Sequence, residues 1–127
     1  ILGICLGMQL LTKHSEEGNI DGLGFIHAQT LKFKLEDPQL KIPHMGWNTV
    51  EFKKESKLRN EIRPNPRYYF VHSYFVECNK QEDVLCSTDY GKEFVAGFEH
   101  ENIFGLQFHP EKSHKFGMEL LANFCKI

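Results

Sequence analysis

A cysteine held between two glycines, in Gly3-Ile4-Cys5-Leu6-Gly7, is the feature that most restricts what this chain can build. An apolar strand end runs into it and a helix-forming stretch leaves it. The thiol is therefore expected on a tight strand-to-helix turn, where glycine permits close backbone approach. At the far end, Phe104-Gly105-Leu106-Gln107-Phe108 alternates like a buried strand, and His109-Pro110-Glu111 follows where that strand gives out. Catalytic groups collect at such strand ends in open α/β sheets. Pro110 blocks helix continuation, which leaves His109 and Glu111 on a short loop. A thiol nucleophile needs a base to take its proton and a carboxylate to orient that base. Cys5, His109 and Glu111 thus read as one catalytic set drawn from two ends of the sequence.

The 127 residues, 41% hydrophobic and 25% charged with a formal net charge of −2, suit one α/β domain. They carry no basic excess for nucleic acid or an anionic membrane. No apolar run nears the ~20 residues that cross a bilayer. Cys5, Cys78, Cys86 and Cys125 lack C-x-x-C spacing, so free thiols in a reducing, cytoplasmic compartment are expected rather than a Cys78–Cys86 bridge. The chain opens on Ile1-Leu2, and the few residues before Cys5 are too short for the strand an elbow needs. Residues 1–127 are expected to be the C-terminal part of a single domain, with N-terminal strands and helices missing and a sheet edge exposed.

Local patterning predicts a short helix from Leu6 to about Lys13, ended by Ser15-Glu16-Glu17-Gly18-Asn19. Strands are expected at Thr30 to Leu35 and Thr49 to Lys53, with a turn bounded by Pro38 and Pro43 between them. Arg59 to Arg67 reads as a polar connection. Tyr68 to Val76, aromatic and β-branched throughout, is the best central-strand candidate. Val84 to Thr88, Phe94 to Phe98 and Ile103 to Phe108 follow as strands at hairpin spacing. A last helix, Ser113 to Cys125, presents Phe116, Leu120, Leu121 and Phe124 on one face, with Ser113 as its N-cap.

Together these residues resemble the class I (triad) glutamine amidotransferases, through Gly3 to Gln9 and Gln107 to Glu111. Pro43-His44-Met45-Gly46-Trp47-Asn48 and Tyr69-Phe70-Val71-His72-Ser73-Tyr74 are similar to the branch that forms the glutaminase subunit of imidazole glycerol phosphate synthase. The resemblance implies a flavodoxin-like α/β fold and hydrolysis of glutamine to glutamate and ammonia, without cofactor or metal. It further implies a separate (β/α)₈ cyclase as partner, which takes up the ammonia. Cys5 would attack the carboxamide, His109 would move the proton and Glu111 would hold its imidazole. The backbone N–H of Leu6, just after the nucleophile, is the expected oxyanion donor. The family's second donor comes from a glycine-rich loop upstream of the nucleophile strand, which these residues lack, so low activity is expected of this stretch alone. Substrate glutamine would be held by Gly7 and Gln9 and by His72, Ser73 and Tyr74, a stretch offering backbone groups and the Ser73 hydroxyl. Pro43, Met45, Trp47, Tyr69 and Lys112 would face the cyclase.

Three other readings compete. His109-Pro110-Glu111 has the H-x-E spacing of zinc deaminases, but no P-C-x-x-C follows, and Pro110 would break the helix that H-E-x-x-H requires. A non-catalytic partner-binding fragment would leave the glycine-flanked cysteine unexplained. Lys112-Ser113-His114-Lys115-Phe116-Gly117-Met118 is similar to a related branch that serves amidotransfer in surface-polysaccharide sugar synthesis.

Overall fold

Apolar alternation along the strands sorts the side chains into two layers around a curled, mixed sheet. The computed structural model describes residues Ile1 to Ile127. Its elements are β1 (Leu2–Ile4), α1 (Leu6–Leu10), β2 (His14–Ser15), β3 (Ile20–Asp21), β4 (Ala28–Lys32), β5 (His44–Thr49) and β6 (Glu51–Phe52). There follow β7 (Arg67–His72), β8 (Tyr74–Cys78), β9 (Val84–Asp89), β10 (Glu93–His100), β11 (Ile103–Leu106) and α2 (His114–Cys125). Nine strands form one sheet in the order β1-β11-β10-β8-β4-β2-β3, with β9 paired to β10 and β6 to β9. The β1–β11 and β2–β4 pairs are parallel, the remainder antiparallel. β5 and β7 stand apart as a two-stranded antiparallel ribbon.

One layer holds α1, whose Met8 packs with Leu11, Ile26, Ala28, Val76 and Phe98. The other joins the ribbon to α2 through Tyr68, Phe70, Phe104, Leu106, Phe108 and Leu120. β10 feeds both. Phe94 and Ala96 enter the ribbon layer, but a register shift around Gly97 inverts the alternation and sends Phe98 to the α1 side. Tyr68 and Phe108 are fully buried and stacked at 4.0 Å, which ties the ribbon to the chain leading into His109. Each such side chain contributes about 1.5–3 kcal/mol by leaving water.

Several expected elements differ. Tyr68 to Val76 is not one central strand but two, broken at Ser73: β7 lies in the ribbon and β8 in the main sheet. Tyr68, Phe70 and His72 point inward before the break and Phe75 after it, so the inward phase changes by one residue there. A continuously apolar run carries no period that would reveal such a change. β5 falls where a turn and interface segment was expected, because Gly46 at φ 123° sits in a run poor in β-branched residues. The strand expected from Thr49 to Lys53 shrinks to β6, and that expected from Thr30 to Leu35 starts earlier, at Ala28 opposite Cys78. α1 ends at Leu10, since the carbonyls of Leu10, Leu11 and Thr12 accept from Leu23, Phe25 and Gly24 instead of continuing a helix. Ser113 makes no side-chain cap for α2. A 3-10 turn over Pro110–Lys112 precedes the helix, and the Ser113 hydroxyl serves the loop described below.

Candidate active site

The parallel pair β1 and β11 places both halves of the expected set at one end of the sheet. Ile4 is level with Leu106, and the Cys5 N–H then donates to the Leu106 carbonyl at 2.7 Å. Cys5 has φ 53° and ψ −109°, an uncommon backbone state for a residue with a Cβ, and one that recurs at functional turns. Close approach is concentrated at Gly3. A Cβ there would stand 2.5 Å from the Gly7 carbonyl oxygen, whereas one on Gly7 would meet nothing within 4 Å.

Beyond β11 the chain runs through Gln107 and Phe108 to His109, whose N–H donates to the Tyr69 carbonyl of β7 at 2.9 Å. His109 Nδ1 meets Glu111 Oε2 at 2.7 Å; the imidazole is 17% exposed and the carboxylate 46%. With Nδ1–H donated to the carboxylate, Nε2 is the nitrogen left to accept a proton. The Ser113 hydroxyl donates to the His109 carbonyl at 2.5 Å and accepts the Tyr69 N–H at 2.9 Å, so one side chain pins the loop to the ribbon. α2 closes on the same loop at Gly117, where any Cβ would run into the Pro110 carbonyl.

The Cys5 thiol is half-buried between two partners. It donates to the Val71 carbonyl at 3.8 Å and accepts from Gln107 Nε2 at 3.8 Å. Val71 lies two residues from Tyr69 on β7, so the ribbon is what brings the cysteine and histidine segments together. These partners do not include His109; catalytic hydrogen bonds of this kind commonly tighten only with substrate in place. Burial pushes the thiol above its ordinary value, with Glu111 adding to the rise, while the Leu6 N–H, Gln107 and Lys112 oppose it. A thiol so placed rests protonated and needs a base at the moment of attack.

The other expected residues distribute unevenly. Gln9 is buried, its amide nitrogen donating to Gln107 Oε1 at 3.2 Å and to the Tyr74 carbonyl at 3.4 Å. The His72 ring is turned into the core, bonded to His44 and the Tyr74 carbonyl, so only the backbone of this stretch and the half-buried Ser73 remain for a ligand. Met45 and Trp47 are 62% and 45% exposed on the outer side of the ribbon, where Trp47 pairs with Tyr69. Trp47 also stacks on His114 at 5.5 Å with the rings 8° apart. Lys112 is exposed on the Pro110–Lys112 turn, and exposed Pro43 precedes β5 after a cis peptide.

Sequence reasoning gave no role to Gln107 or Ser113 at the site, though a polar residue closing an apolar strand beside a histidine was signal enough for Gln107. No group of three or more His, Cys, Asp or Glu side chains converges as a metal site would need. All four cysteines are free. No helix is long and apolar enough to cross a membrane. A groove of about 590 Å³ lies elsewhere, lined by Arg59, Arg63, Asn65 and Thr88 among others, and contains none of the three catalytic candidates.

Comparison with known proteins shows the family. The chain is 56% identical over 99% of its length to imidazole glycerol phosphate synthase subunit HisH 2 of Methanococcus maripaludis, of which it covers 62%. It is 46% identical over its whole length to the HisH subunit of Leptospira borgpetersenii, covering 63% of that protein. It thus spans under two thirds of the length of these relatives. Among solved structures, a putative GMP synthase subunit from Thermoplasma acidophilum aligns at a TM-score of 0.71 and 24% identity, over 99% of this chain and 55% of that one. A glutamine amidotransferase from Thermotoga maritima aligns at 0.65 and 22%, over 98% and 46%. These two speak to the fold alone. The family profile described as glutamine amidotransferase class-I matches residues 1–127, and the chain belongs to that family.

Proposed function

We propose that this chain carries the catalytic centre of a glutaminase that hydrolyses glutamine to glutamate and ammonia through Cys5, His109 and Glu111. The observation that carries the reading is the His109–Glu111 contact at 2.7 Å, set at the end of the strand that runs parallel to the nucleophile strand. Cys5 Sγ attacks the side-chain carboxamide carbon as His109 Nε2 takes the thiol proton. The Leu6 N–H, which favours the thiolate at Cys5, stabilises the charge that develops on the carboxamide oxygen. The C–N bond then breaks, with the proton passing from His109 to the departing ammonia. Water, deprotonated by the same imidazole, cleaves the thioester and releases glutamate. Glu111 keeps the Nδ1–H tautomer throughout.

The ammonia acceptor proposed is the (β/α)₈ cyclase subunit of imidazole glycerol phosphate synthase, in a heterodimer. Identity of 56% to a HisH subunit supports it. So does the apolar face of exposed Met45 and Trp47 and half-buried Tyr69, on the strands that hold the thiol and the histidine. Exposed aromatic and methionine side chains of this kind are frequent interface anchors.

The test follows glutamate release from glutamine with the protein alone, with the cyclase, and with the cyclase plus its nucleotide substrate. Cys5→Ala is the control. Stimulation by the liganded cyclase, abolished in Cys5→Ala, is expected. Glutamate release without any stimulation would overturn the choice of partner, and no release in any arm would overturn the glutaminase.

A further inference from the structure

Gln107 is fully buried beside the nucleophile and uses both ends of its amide there. Its backbone N–H donates to the Ala96 carbonyl at 2.8 Å, which anchors the residue to β10. Its side-chain nitrogen donates to Cys5 Sγ at 3.8 Å, and its side-chain oxygen accepts from Gln9 Nε2 at 3.2 Å. The second N–H of Gln9 goes to the Tyr74 carbonyl. Both donors of the Gln9 amide are therefore occupied, and its carbonyl oxygen is left as an acceptor without a partner. That oxygen is not among the fully buried atoms left without a partner, which are Tyr68 Oη and one Glu99 oxygen, so it keeps some exposure at the edge of this buried network.

We propose that Gln107 is a positioning residue of the reaction. It orients the Gln9 amide so that Oε1 accepts the α-ammonium of bound glutamine, and it steadies the Cys5 thiolate with a donated hydrogen bond. This rests on the glutaminase reading above. A free Gln9 side chain could present either end of its amide to substrate, and only the oxygen matches an ammonium. Gln107 and the Tyr74 carbonyl remove that choice before substrate arrives. The remaining charged groups that act on the thiol are Glu111, which disfavours the thiolate, and Lys112, which favours it. Both stand on the exposed turn, so Gln107 is the buried side-chain donor to the sulfur.

The test separates the two effects. Gln107→Met keeps volume and removes the hydrogen bonds to both Cys5 and Gln9, while Gln9→Met removes the substrate contact and the bonds of the Gln9 amide but leaves the Gln107 amide nitrogen to meet Cys5. Alkylation of Cys5 by iodoacetamide, read at that residue by mass spectrometry across pH, reports the thiol, and KM for glutamine reports the pocket. Gln107→Met is expected to slow alkylation at pH 7 roughly threefold to tenfold and to raise KM about tenfold. Gln9→Met is expected to raise KM similarly and leave the alkylation profile within about twofold of the parent. A folded Gln107→Met variant with the parent's alkylation profile and KM would overturn the proposal.

A measurement on the unmutated protein guards against misfolding of the variant. The side-chain amide resonances of Gln107 should shift with the midpoint of Cys5 ionisation, and amide signals indifferent to it would equally overturn the proposal. Neither thiol readout uses glutamine turnover. A protein that releases no glutamate would sink the glutaminase reading while these two measurements still judge the contact.

Discussion

Two histidine pairs lie close together in this molecule and have opposite electrostatic character. His44 and His72 face each other across the ribbon, both buried, with Nδ1 of the first 2.9 Å from Nε2 of the second. A single direction of donation satisfies the whole chain of contacts: Asn48 Nδ2 to His44 Nε2, His44 Nδ1 to His72 Nε2, and His72 Nδ1 to the Tyr74 carbonyl. Both rings must be neutral for that, and burial holds each down to about 4. His109 instead has a carboxylate on Nδ1 and an Nε2 without a hydrogen-bond partner, on the segment that follows β11. The first pair joins elements and cannot exchange protons without breaking them. In the proposed reaction the second takes a proton and returns it.

Breaking the second pair should have the largest effect on activity and a small one on stability. His109→Ala is expected to lower glutamate release by roughly 10³-fold or more, and Glu111→Gln by roughly 10²–10⁴-fold, in steady-state assays. Breaking the first should reverse the ranking. His72→Ala opens a cavity and strands the His44 N–H and a share of the Tyr74 carbonyl, at a cost of about 2–4 kcal/mol in urea unfolding.

The first pair should also make stability depend on pH. Its folded pKa values lie near 4, below the ordinary 6.5, so the unfolded chain binds protons first as pH falls. The pair's contribution is complete above pH ~6.5 and is lost between there and pH 4, at up to about 1.4 kcal/mol per pH unit for each ring. Urea unfolding across that window should show the loss, and His44→Phe should remove the share that belongs to His44.

A fourth histidine sharpens the contrast with the smallest effect. His114 is exposed, has no carboxylate partner and stacks on Trp47, the protein's single tryptophan. His114→Ala should alter the tryptophan emission while changing stability by less than about 0.5 kcal/mol.

The same contrast explains how much could be read from the chain. Cys5, His109 and Glu111 were legible because each sits in a local context that ordinary packing does not ask for: a glycine-flanked thiol, and a histidine and carboxylate straddling a proline at a strand end. The late strands and α2 were legible from alternation and helical spacing. The role of His72 was not, because nothing local distinguishes a ring that will be buried against His44 from one that will face a ligand. That pairing depends on β5, and β5 was hidden by Gly46 and weak β-propensity. The break at Ser73 and the tie made by Ser113 were hidden for the same reason, since each is decided by a partner distant in sequence.

Selective capture of the nucleophile tests the central claim most directly. The protein would be treated with a glutamine-analogue electrophile and the modified cysteine located by mass spectrometry. Modification of Cys5 in preference to Cys78, Cys86 and the exposed Cys125, suppressed by glutamine and lost in His109→Ala, is the predicted result. Labelling that follows exposure alone, with Cys125 modified first and Cys5 indifferent to His109, would contradict it.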